Sequence, residues 1–134
     1  MSLPLVDSDI LIDVLRKNTL AVSLLDVLLS KGPVAVSVVS RMETIRGCLN
    51  REAQQQAERL LKQLQLVGLD AQIATRADQL VTQYFLGHRL AVADALIAAT
   101  AIVYELPLLS KNQKDFRFLD KAGLQLLPYP GPPA

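Results

Sequence analysis

A chain of 134 residues has room for one domain with a real core and needs neither disulfides nor metal staples to hold it. Its 51% apolar content, 20% charged content and mean hydropathy of +0.28 exclude a disordered segment, and a formal net charge of +1 leaves a nucleic-acid partner neither favoured nor excluded. Three Phe, three Tyr and no Trp argue against an aromatic ladder for stacking bases, and the single cysteine, Cys48, cannot form an internal disulfide.

In chain order, residues 3–6 form an apolar run that ends at Asp7, and residues 10–15 continue with helical spacing, which predicts strand, sharp turn, helix. A second helix over 20–29 stops at Lys31-Gly32-Pro33, and β-branched residues over 34–38 predict a strand. Ser40 and Glu43 have capping-box spacing, so a helix is expected from there to about 50, followed by a longer one over 51–66. Further helices are expected over 73–86, with a break at Gly87-His88, and from 91 to 106. Strands over 106–110 and 124–127 bracket the short segment 115–122. The expected organisation is one domain over 1–127 and a Pro-rich extended tail over 128–134. Asp7, Asp9 and Asp13 interrupt the first apolar stretch, so no signal peptide is read there, and the charge-free stretch 95–104 is about half a membrane span. A cytoplasmic protein without a membrane segment is the expectation.

Strands separated by helices imply parallel crossovers, hence an α/β domain with a central parallel sheet between helical layers. Ligands of such sheets bind beyond the carboxyl ends of the strands. Asp7 follows the first strand, Glu43 sits early in the helix after the second, and the stretch from Ser110 to Asp115 follows the third. Asp94 lies near the start of a helix that runs antiparallel to the strands, which places it on the same edge. Carboxylates crowded there repel one another unless a cation neutralises them, and hard oxygen donors select Mg²⁺ or Mn²⁺.

Four segments, LVDSDILID from Leu5, VSVVSRME from Val36, ADALIAATA from Ala93 and LPLLSKNQKDF from Leu106, resemble the four motif regions of PIN domains, and most closely those of VapC toxins from VapBC toxin–antitoxin pairs. The resemblance spans nearly the whole chain in the right order. It implies a three-layer α/β/α fold and a magnesium- or manganese-dependent endoribonuclease held inactive by a VapB-like antitoxin. It matches Asp7, Glu43 and Asp94 to the acidic metal ligands and Ser8 to the small hydroxyl beside the first aspartate. Asp9 stands where Asn is common, Ser110 where Thr is common, and Asn112 where an acid is common. The fourth position falls to Asn112, through its amide oxygen, or to Asp115 three residues on; Asp115 is the favoured acid with Asn112 orienting it, and its plainer reading is a cap for the short helix through 122.

Each residue also has a plainer reading. Asp7 is placed to cap a helix, Glu43 to complete the capping box, and Asp94 to favour a helix dipole. Those readings explain each acid singly but not their arrival on one edge. Lys111, Lys114 and Arg117 stand where phosphates would be gripped, and Arg46, one turn after Glu43, could pair with a carboxylate. His88 reads as a turn residue and Cys48 as a packed apolar side chain. Leu24, Leu25, Val27, Leu28 and Leu29 leave the second helix little polar face, which points to a homodimer or partner surface. The competing functions are a non-catalytic module of the same fold that binds RNA or an antitoxin, and a metal-dependent phosphatase.

Overall fold

The computed structural model describes residues 3–129. Five short strands, β1 (Leu5–Val6), β2 (Ala35–Ser37), β3 (Gln65–Val67), β4 (Leu108–Leu109) and β5 (Leu126–Leu127), form one parallel sheet in the order β3-β2-β1-β4-β5. Helices α1 (Ser8–Leu15), α2 (Thr19–Lys31), α3 (Val38–Arg46), α4 (Arg51–Leu61), α5 (Ala71–His88), α6 (Val92–Val103) and α7 (Gln113–Phe116) cross between them, and a 3-10 turn, Arg117–Ala122, leads to β5.

Side chains that alternate along a strand feed two separate cores. Leu5, Ala35 and Leu108 point to the side covered by α5 and α6, where Ile73, Leu80, Ile97 and Phe116 are fully buried. Their chain neighbours Val6, Val36 and Leu109 point to the other side, against Ile10, Leu11, Leu25, Leu60 and Leu61 from α1, α2 and α4. This is the three-layer α/β/α architecture, in which strands buried on both faces carry continuous apolar runs. After β3 the chain returns to the far side of β1, so the strand order reverses between β1 and β4. A crevice opens at such a reversal, beyond the carboxyl ends of the strands.

Several expected boundaries shift, each for a local reason. The helix after β2 is capped by Ser37, whose Oγ accepts from the Val39 N–H at 3.1 Å, so no capping box starts at Ser40. Ser40 is instead buried within α3, and Glu43 lies in its second turn. The predicted helix over 51–66 ends at Leu61, because the backbone turns at Lys62 and Gln63 and the Gln65 N–H joins Val34 O at 2.8 Å to start β3. Gly87-His88 does not break α5; the helix runs through both and ends at Arg89, a left-handed residue with φ 56. On α2, Leu24, Leu28 and Leu29 pack against the second core, so the exposed face that suggested a dimer is reduced to Leu20 and Val27. Of the predicted 128–134 tail, residues 130–134 lie outside the described residues.

Candidate active site at the carboxyl edge of the sheet

Asp7 ends β1 and caps α1. Its Oδ1 accepts from the Ser8 N–H at 2.8 Å and its Oδ2 from Ser110 Oγ at 2.8 Å, while Ser40 Oγ stands at 3.5 Å from Oδ1. With 3% of its surface exposed, it is the one carboxylate among the buried polar residues. That burial raises its pKa, the neighbouring Glu43 charge adds to the rise, and the hydrogen bonds oppose it. Glu43 joins the group through Ser8, whose Oγ donates to Glu43 Oε1 at 3.0 Å. Asp94 lies in the first turn of α6. Burial first, then the charges of Asp7, Asp115, Glu43 and Asp9, push its carboxyl up to about 6. The charges of four other acids thus bear on this one side chain.

Asp9, which the family resemblance marks as a departure from Asn and not as a ligand, belongs to the same group. Burial and the Asp7 charge push it up to about 6. Its Oδ2 accepts from the Lys111 N–H at 3.0 Å and lies 3.2 Å from Ser110 Oγ, but its buried Oδ1 has no partner. Ser110 Oγ also accepts from the Asn112 N–H at 3.0 Å, and a hydroxyl carries one hydrogen. It can therefore satisfy Asp7 or Asp9, not both at once. The signal in the sequence was the Asp at two positions after Asp7, in the first turn of the helix that Asp7 caps.

The other predicted residues divide. Asp115 sits in α7, third residue of the helix rather than its cap, and acts on Asp94 through its charge. Asn112 occupies the cap position of α7 but makes no side-chain cap bond; its carbonyl accepts from the Asp115 N–H at 3.1 Å, so the link that orients Asp115 is backbone. Lys111 Nζ is held by Asp13 Oδ2 at 2.6 Å, the one ion pair among the described residues. Lys114 and Arg117 are exposed beside Asp115, and Arg46 is exposed at the end of α3 without a carboxylate partner among the described residues. Cys48 Sγ approaches Thr44 O at 3.5 Å, and His88 stacks on Phe118.

Among the described residues, no three His, Cys, Asp or Glu side chains form a ready-made cage for a metal ion. The bonds give a reason: Asp7 and Glu43 are each drawn onto serine hydroxyls or backbone. The donor set still fits a hard cation. It is all oxygen, desolvated, over-supplied with carboxylates relative to hydrogen-bond donors, and leaves a buried Asp9 oxygen unpaired. Mg²⁺ in particular keeps several waters and is held through one or two carboxylates rather than a full protein cage.

Comparison with known proteins agrees with this geometry. The family model for the PIN domain matches residues 5–122. Ribonuclease VapC10 of Mycobacterium tuberculosis is 37% identical over 118 residues, 87% of this chain and 88% of the relative. Ribonuclease VapC1 of Methanocaldococcus jannaschii is 32% identical over 124 residues, covering 91% and 85%. Among solved structures, a toxin–antitoxin complex from Klebsiella pneumoniae superposes with a TM-score of 0.72 at 29% identity over 84% of this chain and 89% of that one. DNA-bound VapBC from Salmonella typhimurium shares the fold, with a TM-score of 0.78 at 20% identity over 94% and 97%. The family model and the two relatives show that the chain belongs to the PIN domain family, among the VapC ribonucleases.

Proposed function

We propose that the chain is the toxin of a toxin–antitoxin pair, a Mg²⁺- or Mn²⁺-dependent endoribonuclease that hydrolyses RNA phosphodiester bonds in the cytoplasm. What supports this reading is the sharing of the Ser8 and Ser110 hydroxyls among Asp7, Asp9 and Glu43, together with the charges of these acids and of Asp115 that raise the Asp94 carboxyl. Asp7, Glu43 and Asp94 are the residues that would hold the cation. When bound, the ion supplies an activated water and neutralises charge on the scissile phosphate.

The chain's own groups do the rest. Ser8 holds Glu43 towards Asp7, and Ser110 fixes the Asp7 carboxylate from the β4 side. The carboxyls of Asp9 and Asp94, titrating near 6, give up their protons when a cation replaces them, so metal loading strengthens above that pH. Lys114 and Arg117, exposed beside the edge, draw in the RNA backbone through its phosphates. Lys111 is committed to Asp13 and reaches a phosphate only by leaving it. A VapB-like antitoxin would silence the site most directly by placing a guanidinium among the carboxylates, where it competes for the position of the cation.

The test is Asp7→Asn and Asp94→Asn, each of which removes ligand charge while keeping shape. Both variants are expected to lose metal-dependent cleavage of RNA and growth inhibition while retaining the wild-type circular dichroism spectrum. Full activity in both would remove the assigned site.

A further inference from the structure

The few aromatic residues of this chain are scattered in sequence, yet Tyr84 and His88 of α5 meet Phe118 of the 3-10 turn. The His88 imidazole lies flat on the Phe118 ring, with centroids 3.9 Å apart and planes 4° from parallel. Tyr84 supports both from the side, tilted by 52° to Phe118 and 56° to His88. His88 is exposed, so its imidazole is within reach of a ligand from solvent. One residue on, Arg89 stands in the left-handed region at φ 56 with its guanidinium 5.3 Å from the centroid of the exposed Phe85 ring. That conformation ends α5 at its C-cap and turns the chain towards α6.

Along the chain, this cluster lies within a few residues of two acids of that edge. Arg89 is five residues from Asp94, a reach of at most about 18 Å along the chain. Phe118 is three residues beyond Asp115, whose charge acts on Asp94. Lys114 and Arg117 are exposed on the same short stretch. An exposed imidazole backed by an aromatic ring, a cation over a second ring, and further exposed cations within a few residues of the acidic edge match what an unpaired base and its flanking phosphates require.

We infer that His88, backed by Phe118, is the seat for an unpaired base of the RNA, with Arg89 and Phe85 forming its outer wall. The inference rests on the ribonuclease reading above and deepens it to the recognition of single-stranded RNA beside the cut. Leu86 and Val92, exposed next to the cluster, would also suit a second copy of this chain, but the cations and the exposed imidazole favour RNA.

The experiment uses the full chain and a short single-stranded RNA carrying 2-aminopurine, measured with EDTA present so that binding is read without cleavage. Wild-type protein should quench the 2-aminopurine fluorescence by stacking. His88→Ala should abolish that quenching and weaken binding by about 5–150-fold, the range expected for losing one base–aromatic stack. Arg89→Ala should weaken binding while quenching at saturation persists. With Mn²⁺ restored, His88→Ala should raise KM and leave kcat unchanged. Unchanged affinity and quenching in His88→Ala, with an unchanged melting temperature, would overturn the inference. So would a fall from dimer to monomer mass in Phe85→Ala and His88→Ala, which would assign the patch to a second copy. A wild type that binds and quenches but never cleaves RNA would sink the nuclease reading and leave the base seat standing.

Discussion

Asp94→Asn should make the metal-free protein more stable while destroying its activity. Asp94 is half-buried, and every influence on its carboxyl, burial first and then four neighbouring acids, raises it, from 3.8 to about 6. Two units correspond to roughly 3 kcal/mol at ~1.36 kcal/mol each, and solvent screening of a half-exposed group reduces this to about 1–1.5 kcal/mol. Because the folded carboxyl binds its proton more tightly than the unfolded one, the favourable contribution is complete below about pH 4 and is lost as pH rises through about 6. The amide never ionises, so the variant escapes that loss. In EDTA at pH 7.5 it should melt some 3–6 °C above wild type, and the gap should close by about pH 4. Added Mg²⁺ should raise the wild type more than the variant, since only the wild type holds the ion well. Thermal melts by circular dichroism across that pH range decide the matter. A variant equal to or less stable than wild type at pH 7.5 in EDTA would refute the argument that the acids at this edge strain the fold.

The fourth acid is tested by Mn²⁺ titration of RNA cleavage: Asp115→Asn should shift the curve to higher metal, whereas Asn112→Ala, which leaves the backbone link to Asp115 intact, should shift it little. A wild-type curve in Asp115→Asn would reduce the site to the remaining acids. Ser37→Ala should cost about 1 kcal/mol in urea unfolding through loss of the α3 cap, and a neutral result would refute that cap's contribution. Light scattering should report twice the chain mass, and a clean monomer at high micromolar concentration would count against the dimer. A structure with the cognate antitoxin should show an Arg or Lys among Asp7, Glu43 and Asp94, and an antitoxin that leaves the acidic edge open would refute that mode of inhibition.

The fold was legible wherever one local signal dominated. The apolar run into Asp7, the β-branched stretch after Pro33 and the apolar helix around Asp94 stand near the places their patterns indicate. The strand β3 was hidden because Leu60, Leu61 and Leu64 keep helical spacing past the point where the chain turns, and Leu64 serves the core from outside the helix. Ser37 and Ser40 both precede helical residues, and only the extended backbone at Ser37 picks the true cap. At the site, topology puts Asp7 after β1 and Glu43 in the helix after β2, and it puts Asp94 near the start of a helix antiparallel to the strands, all towards one edge. The sharing of Ser110 between Asp7 and Asp9 joins residues about a hundred positions apart, and the stack of His88 on Phe118 spans thirty; neither leaves a periodic trace in the chain.

The most direct test of the account is cleavage of total RNA by the purified protein after removal of divalent cations, followed by their return. EDTA should stop hydrolysis, excess Mn²⁺ or Mg²⁺ should restore it, and Asp7→Asn should remain inactive under both conditions. Hydrolysis that continues unchanged in EDTA, or that survives in Asp7→Asn, would contradict a mechanism built on this acidic edge.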